Sequence, residues 1–335
     1  MTPLKQGANE IGAIVGPGRS GTTWAGTLVD SCPDVIYRFE PFHRLAKVDA
    51  EMNQWFQKLR NQEVREDDLP RIYTRLCVAD PLTNKAPFFR NKSYPVRTFG
   101  RRQLWPVARL LRPARHLYSA VYTPRPGPPL VFKEVTFIKP LQNLLERTPV
   151  PVVYMVRHPC ATVISSIDVQ MREGIPARVQ QLRATLQEQA PQLADAHADA
   201  LDSNDLLRQA ALLWRFEVDR CVTLARKSAH GLVMTYEQLA DDTHSQSKAM
   251  FSHLGIEHGP HTLKFIDSLH SLRSTGRPGP RRTGWGNNRF SVYRNPKEQK
   301  DSWKKKVSAE DRRKVEEIVQ GVPSLEYCAQ LGAWW

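Results

Sequence analysis

The sequence predicts an α/β protein in which helices flank a central parallel β-sheet. Three segments support this prediction, because each places a short apolar strand directly before a helix-forming stretch. They lie at residues 11–32, 150–167 and 231–239. No internal repeat is visible in the chain, and we expect a single domain over residues 1–335.

Charge and composition limit the functions that the chain could have. The 335 residues carry a formal net charge of +14, which favours an anionic ligand, although a nucleic acid or an acidic membrane would also match it. Five scattered cysteines form neither a metal-binding pattern nor a disulfide framework, which predicts a reducing compartment. No apolar run approaches the roughly 18 residues of a membrane span. Residues 1–12 lack the apolar core of a signal peptide, so we expect a soluble, cytoplasmic protein without an integral membrane segment.

The first segment consists of a strand, a glycine turn and a helix. The uninterrupted apolar run from Ile11 to Val15 is typical of a buried strand. The turn G-P-G-R-S-G-T-T-W follows over residues 16–24, and we expect the helix to extend to about Cys32. Backbone amides and the helix dipole favour an anion at such a helix N-terminus.

This turn resembles a nucleotide-binding P-loop, G-x-x-x-x-G-K-[ST], but lacks its lysine. Gly16 and Gly21 have the required spacing, whereas Thr22 occupies the lysine position and the cation lies upstream at Arg19. The P-loop lysine contacts the transferred phosphate groups, so its absence argues against ATP hydrolysis. The alternative interpretation is an accidental glycine turn before a core helix.

The string R-S-G-T-T-W resembles the 5′-phosphosulfate loop of sulfotransferases that use 3′-phosphoadenosine-5′-phosphosulfate (PAPS). The resemblance implies a P-loop nucleoside-triphosphate-hydrolase-like sulfotransferase fold with PAPS as the co-substrate. It implies that Arg19 is catalytic and that Trp24 stacks on adenine. The donor-binding residues that it implies here are Gly18, Arg19, Ser20, Gly21, Thr22, Thr23 and Trp24.

A second phosphate motif lies at the end of the apolar strand over residues 152–156. Arg157 follows this strand, Pro159 suits the first turn of a helix, and Ser165 lies eight residues after the arginine. A guanidinium and a hydroxyl can bind one phosphate together. The segment resembles the 3′-phosphate motif of the sulfotransferase family, with His158 in place of the commoner aspartate. The alternative is a helix-capping Arg-Pro junction.

Two residues are candidates for the base that accepts the proton of the acceptor. Glu40 ends a predicted strand over residues 35–39, and ligands of open α/β sheets bind beyond the carboxyl ends of strands. The stretch D-V-I-Y-R-F-E-P resembles carbohydrate-type sulfotransferases, which implies that Glu40 is this base. His43 is the rival, because other sulfotransferases use a histidine. Alternatively, Glu40 is a helix cap or ion-pair partner and His43 is an exposed loop residue.

Three further features have weaker support. Lys133 lies within a predicted strand over residues 130–137, either as an edge or snorkelling residue or, by resemblance, facing the cofactor. Tyr236 follows the strand at residues 231–235, and the resemblance implies that it lies near adenine; the alternative is a core aromatic. The basic segment over residues 271–293 resembles a loop that closes over the cofactor, which makes Arg281, Arg282 and Arg289 candidates for binding it.

The remaining elements are predicted from helical periodicity and capping signals. Helices are expected near residues 49–61 and 100–114, and residues 171–230 are predicted to be helical except for a loop or exposed turn over residues 194–204. Ser308 with Asp311 indicates the start of a helix over residues 309–320, which resembles the C-terminal helix of the same family.

Together these observations predict sulfuryl transfer from PAPS to an acceptor hydroxyl, of a carbohydrate or a small molecule, without a metal. An ATP-dependent small-molecule kinase and a non-catalytic basic protein that binds nucleic acid are the alternatives. The missing loop lysine argues against the first, and the absence of a nucleic-acid recognition motif argues against the second. The sequence does not identify the acceptor, the oligomeric state or the base among Glu40 and His43.

Overall fold

Five parallel strands form one sheet in the order β2-β3-β1-β4-β5 in the computed structural model, which describes residues 11–135, 137–167, 174–271 and 295–334. The strands are β1 (Ile11–Gly16), β2 (Ile36–Phe39), β3 (Leu130–Val135), β4 (Val152–Val156) and β5 (Gly231–Thr235). All four strand pairings are parallel. The predicted fold class, a parallel sheet flanked by helices, is confirmed.

Helices connect the strands and extend the fold beyond the sheet. Those up to the end of β4 are α1 (Thr22–Asp30), α2 (Pro41–Leu45), α3 (Ala50–Arg60), α4 (Leu69–Cys77), α5 (Arg101–Leu110), α6 (Arg112–Tyr122) and α7 (Ile138–Arg147), with a 3₁₀ turn at Glu66–Asp68. Those after β4 are α8 (Pro159–Ile167), α9 (Ile175–Gln189), α10 (Pro191–Ala196), α11 (Ala198–Asp202), α12 (Leu206–Lys227), α13 (Tyr236–Asp241), α14 (Thr243–His253), α15 (Pro260–His270), α16 (Pro296–Lys300), α17 (Ala309–Val319) and α18 (Pro323–Gly332).

Both faces of the sheet are covered by helices, which explains why β1 and β4 are continuous runs of apolar and small residues. Alternate residues of β1 belong to two separate apolar clusters: Ala13 and Val15 to one, Ile14 to the other. The first cluster includes residues of α3, α7, α8, α12, α17 and α18. The second includes residues of α1, α13, α14 and α15. The chain therefore has the doubly wound arrangement that is typical of open α/β sheets.

Most predicted elements are confirmed, and one is wrong. The strand at residues 152–156 and the helices near 49–61 and 309–320 lie where the sequence placed them, within a residue or two. The expected helix over 100–114 is a hairpin of α5 and α6, separated at Leu111 by extended backbone. Residues 194–204 were predicted as a loop or exposed turn, but the end of α10 and all of α11 lie there, because Ala194, Ala200 and Leu201 bury their side chains in the core. Within the described ranges, no helix is long and apolar enough to cross a membrane.

Helix α1 packs closely on the sheet through a glycine. A Cβ atom at Gly26 would lie 2.2 Å from the hydroxyl oxygen of Tyr37 and 2.6 Å from its ring carbon Cζ. Tyr37 is on β2 and is 8% exposed. The Tyr37 ring therefore has little room to move. The contact between Gly26 and Tyr37 sets the distance between α1, which follows the glycine turn, and β2.

We expect the Gly26→Ala substitution to destabilise the protein, although alanine is the better helix former. Overpacking of a filled core costs roughly 1–3 kcal/mol, whereas the gain in helix propensity is about 1 kcal/mol. Unfolding by denaturant measures the difference. The control is Gly259→Ala, at the N-cap of α15, where a Cβ has no atom closer than 3.8 Å. A Gly26→Ala protein as stable as the parent would show that this contact does not limit helix packing.

Candidate active site

The predicted site residues within the described ranges lie near one edge of the sheet, where the strands end. The turn at residues 17–21 follows β1, Glu40 follows β2, Arg157 follows β4 and Tyr236 follows β5. The register places Val15 beside Glu134 of β3 and Phe39 beside Lys133. Because all five strands are parallel, their carboxyl ends share this edge.

The glycine turn after β1 has the geometry of an anion-binding loop. A Cβ atom at Gly16 would lie 2.3 Å from the carbonyl oxygen of Met155, so only glycine fits beside β4. Arg19 and Gly21 have φ angles of 72° and 93°, in the left-handed region. Gly21 is the N-cap of α1, and no side chain in the described part of the chain caps the first amides of this helix. These amides remain available to a ligand.

The residues that follow Arg19 line the base of this loop. Ser20 is fully buried, and its hydroxyl has no hydrogen-bond partner among the described residues. Thr22 is also buried, while Gly18 and Thr23 are half-buried. The carbonyl of Thr23 accepts a hydrogen bond of 2.8 Å from the Thr27 hydroxyl. A buried hydroxyl without a partner is costly, so Ser20 indicates that a polar ligand belongs at this point.

The two predicted phosphate motifs meet in space. Arg19 Nε donates a hydrogen bond of 2.7 Å to Ser165 Oγ on α8, although 146 residues separate them in the sequence. The ring of Tyr236 lies against Gly21, since a Cβ there would be 2.4 Å from the ring. Arg157 also contacts this ring, with its guanidinium carbon 4.4 Å from the Tyr236 ring centroid. The five strands thus bring both motifs and Tyr236 into one cluster.

Arg157 is held in place by its neighbours. Its Nη2 donates a hydrogen bond of 2.7 Å to the carbonyl oxygen of Gln299. Its Nε is buried, and no partner for this atom lies in the described ranges. Tyr236 begins α13, where Thr235 and Gln238 form a reciprocal capping box. The Arg157 side chain is therefore oriented by α13 and by the segment near Gln299. Its Nε–H has no acceptor among the described residues.

The aromatic residues predicted to contact adenine pack against each other. The ring centroids of Trp24 and Tyr236 are 5.3 Å apart, and both residues are buried. His158, in the second motif, is part of the core instead: it stacks on Trp303 at 4.2 Å. Burial, helped by nearby cations, lowers the pKa of His158 to about 3, so this ring stays neutral.

Glu40 is an ion-pair partner at the end of β2. Its Oε1 accepts a hydrogen bond of 2.6 Å from Lys133 Nζ, and its Oε2 accepts one of 3.0 Å from Arg44 Nε. Burial opposes ionisation of this carboxyl, but the charges and hydrogen bonds of Lys133 and Arg44 outweigh it and lower the pKa of Glu40. Lys133 is 1% exposed on an interior strand, so the edge or snorkelling interpretation of this lysine is wrong.

His43 forms a second pair with a residue that the sequence analysis missed. Its Nδ1 lies 2.6 Å from Oε2 of Glu134, which is fully buried on β3. The other oxygen, Oε1, accepts hydrogen bonds from the amides of Phe42 and His43 and so fixes the start of α2. Burial lowers the pKa of His43, but the hydrogen bond and charge of Glu134 outweigh it and raise the pKa above its ordinary value. The His43 side chain is 36% exposed.

Lys85 is another residue that the sequence analysis missed. Its ammonium lies 4.4 Å from the Phe39 ring centroid, and that of Lys133 lies 4.6 Å from the same ring. Burial and the charge of Lys133 lower the pKa of Lys85 to about 8, with smaller contributions from Arg44 and Arg19. Glu134 could have been predicted, because two adjacent charges, Lys133 and Glu134, interrupt the apolar sequence of β3. Lys85 could not, because it lies in an irregular segment without a sequence pattern.

Some expectations stay untested. Arg281, Arg282 and Arg289 lie outside the described residues. In the part of the chain that the structure describes, no group of three or more His, Cys, Asp or Glu side chains could hold a metal ion. The independence from metal remains a prediction.

Comparison with known proteins places this geometry in a family. A model described as "Sulfotransferase family" matches residues 13–260. No curated protein sequence matches the chain. Two similar solved structures are the sulfotransferase domain from the curacin biosynthetic pathway and that from the Synechococcus PCC 7002 olefin synthase. The first has 12% identity and a TM-score of 0.47, and the match covers 94% of this chain and 99% of that domain. The second has 15% identity and a TM-score of 0.43, with 96% and 99% covered.

The assignment rests on the family match and not on these two likenesses. The match spans most of the chain and includes the glycine turn, Glu40, His43, Arg157, Ser165 and Tyr236. This chain belongs to the sulfotransferase family.

Proposed function

We propose that this protein transfers a sulfuryl group from PAPS to a hydroxyl of a carbohydrate or small-molecule acceptor. The hydrogen bond between Arg19 and Ser165 carries the proposal, because it joins the segments predicted to bind the two ends of the donor. The 5′-phosphosulfate would lie on Arg19 and the first amides of α1. The 3′-phosphate would lie on Arg157 and Ser165.

Unpaired polar groups support this donor. Among the described residues, the Ser20 hydroxyl and Arg157 Nε are buried without partners, and no side chain caps the first amides of α1. A buried polar group without a partner costs about 1–3 kcal/mol. Phosphate oxygens would accept hydrogen bonds from all of these donors, and the positive end of the α1 dipole favours their charge.

The residues of the site suit displacement at sulfur. The acceptor oxygen forms a bond to sulfur while the bond from sulfur to the phosphate oxygen breaks, which releases 3′-phosphoadenosine-5′-phosphate. Arg19 and the amides of residues 20–23 offset the negative charge that builds on the departing oxygen. Binding of the remote 3′-phosphate by Arg157 holds the donor in position, so its binding energy supports the reaction.

The hydrogen bonds of the two candidates favour His43 rather than Glu40 as the base that accepts the proton of the acceptor. Both oxygens of Glu40 pair with cations, and a lowered pKa makes a carboxylate a poor proton acceptor. The Nδ1 atom of His43 is engaged by Glu134, which orients the ring so that its Nε2 can accept a proton. Glu134 then stabilises the charged ring that forms. In this proposal Glu40 holds Lys133 and Arg44 at the acceptor side of the site.

Thermal unfolding with 3′-phosphoadenosine-5′-phosphate tests the donor site. A ligand at about 100 times its dissociation constant adds about 2.7 kcal/mol to the free energy of unfolding. We expect this stabilisation in the parent protein and about a ten- to one-hundredfold weaker affinity in Arg157→Gln, since a charged hydrogen-bond donor is lost.

Arg226→Gln is the matched control, because Arg226 also lies over a tyrosine ring, Tyr327, at 4.0 Å, but belongs to the end of α12. This variant should bind the bisphosphate as the parent does. Stabilisation by Mg²⁺-ATP alone would favour a kinase instead. Binding of duplex DNA without any effect of the bisphosphate would favour a nucleic-acid-binding protein.

The pH dependence distinguishes the two bases. If His43 accepts the proton, turnover rises with pH as the ring becomes neutral, and the midpoint lies above the ordinary histidine pKa of about 6.5. Glu134→Gln removes the carboxylate that raises this pKa, so the midpoint moves to lower pH and the maximal turnover falls. NMR titration of the His43 ring measures the same shift without an acceptor.

The Glu40→Gln variant tests the alternative, in which Glu40 is the base. A Glu40 base, with its lowered pKa, would put the midpoint in the acid range, and Glu134→Gln would leave it there. If Glu40→Gln loses turnover while His43→Ala keeps the turnover of the parent, Glu40 is the base. In both variants, retained binding of the bisphosphate shows that the donor site is intact.

A further inference from the structure

The hairpin of α5 and α6 has an exposed apolar surface. Seven large apolar side chains in the described part of the chain are exposed, and four of them lie on this hairpin: Val107, Leu110, Leu111 and Leu117. Leu110 is 75% exposed, Leu111 57% and Leu117 54%. We call these four residues the hairpin face.

The hairpin face is the outer side of a well-anchored element. On the inner side, Tyr118 and Tyr122 are buried with Ala108 in a small apolar cluster. Trp105 Nε1 donates hydrogen bonds of 2.9 Å to the carbonyls of Pro81 and Asn84. These contacts fix the hairpin to the protein, so its exposed leucines are held outward by a rigid support.

Residues Val107, Leu110 and Leu111 have the spacing i, i+3 and i+4, which places them on one side of the end of α5. Leu111 lies between the two helices, and Leu117 lies in the middle of α6. The exposed apolar side chains of the hairpin face are therefore concentrated at the end of α5 and the tip, with Leu117 further along α6.

The hairpin itself carries formal charge of one sign, and one of its arginines, Arg115, pairs with the buried Asp80 outside it. Helices α5 and α6 contain five arginines and no acidic residue, and residues 81–133 contain eleven lysines and arginines without an aspartate or glutamate. Arg109 and Arg112 flank the two central leucines and are exposed. Among the described residues, no ion pair to an acidic side chain involves Arg102, Arg109 or Arg112.

We propose that the hairpin face docks on an anionic lipid membrane surface. Leucines beside arginines fit this partner, because the leucines enter the acyl boundary while the arginines remain at the headgroups. Anionic headgroups also match the acid-free segment. A nucleic acid would use the cations but leave the leucines in water.

A second copy of the chain fits the face less well than a membrane. In a two-fold dimer the same patch meets itself, so the arginines of one copy would face those of the other. Such like charges repel. The face needs a partner that is apolar inside and negative at its rim, and a bilayer that contains anionic lipid has both properties.

The hairpin is anchored to the segment that supplies Lys85. Asn84 Nδ2 donates a hydrogen bond of 3.0 Å to the Tyr118 hydroxyl, and the rings of Phe88 and Trp105 are 5.7 Å apart. Docking would therefore attach the protein through an element next to the acceptor side of the candidate site. The proposal itself does not depend on the donor or on the reaction.

Flotation of the full chain with lipid vesicles tests this inference. We expect binding to phosphatidylcholine vesicles that contain phosphatidylserine, weak binding to phosphatidylcholine alone, and loss of binding at high salt. The double substitution Arg102→Gln and Arg112→Gln should weaken binding by about fivefold for each arginine. The double substitution Leu110→Ser and Leu111→Ser should weaken it by about tenfold or more.

Matched controls use residues of the same type elsewhere on the surface. Leu193→Ser replaces another exposed leucine, and the pair Arg71→Gln and Arg313→Gln replaces two exposed arginines. These variants should bind vesicles as the parent does. A thermal unfolding curve like that of the parent shows that each variant is folded. If the double variant Leu110→Ser and Leu111→Ser does not fold, the single variant Leu117→Ser is tested in its place.

Three results would overturn the inference. Vesicle binding that is the same in the parent and both hairpin variants would remove the hairpin from the interaction. A dimer in light scattering that the leucine variant abolishes would show that a second copy covers the face. Binding of soluble polyphosphate, but not of vesicles, that persists in the leucine variant would indicate a polyanion.

Discussion

The candidate site depends on one geometric constraint: parallel strands deliver all their carboxyl ends to the same edge of the sheet. The turn at residues 17–21, Glu40, Arg157 and Tyr236 each follow a different strand, so the sheet brings together residues that the sequence separates widely. Strand β1 occupies the centre, with β3 and β4 on its two sides. A loop on the central strand can therefore contact helix α8, as the Arg19–Ser165 hydrogen bond shows.

Buried charges organise the other half of this edge. Lys133 and Glu134 are adjacent on β3, point to opposite faces and are both fully buried. A buried charge is tolerated only when it is paired, and each finds its partner just after β2, in Glu40 and in His43. These pairs fix the start of α2, where Glu40 itself has a left-handed φ of 49°. Local strain at a non-glycine residue of this kind is common at functional sites.

The sequence was sufficient for the fold class, for the strands and for the two segments that meet at Arg19 and Ser165, because buried parallel strands and glycine turns have local signals. It also identified Glu40 and His43, but their partners depend on the pairing of β2 with β3, which is a long-range contact. Lys85 lies in an irregular segment without periodicity, so no pattern marked it. The short helices α10 and α11 were missed because burial of Ala194, Ala200 and Leu201 outweighs the polar composition around them.

The most direct test of this account is a crystal structure of the protein with 3′-phosphoadenosine-5′-phosphate. We expect the 5′-phosphate on the first amides of α1, with Arg19 beside it, and the 3′-phosphate within hydrogen-bond distance of Arg157 and Ser165. We also expect the Ser20 hydroxyl to gain a hydrogen-bond partner in this complex. A bisphosphate bound with its phosphates away from the carboxyl edge of the sheet, and contacting neither Arg19 nor Arg157, would contradict the account.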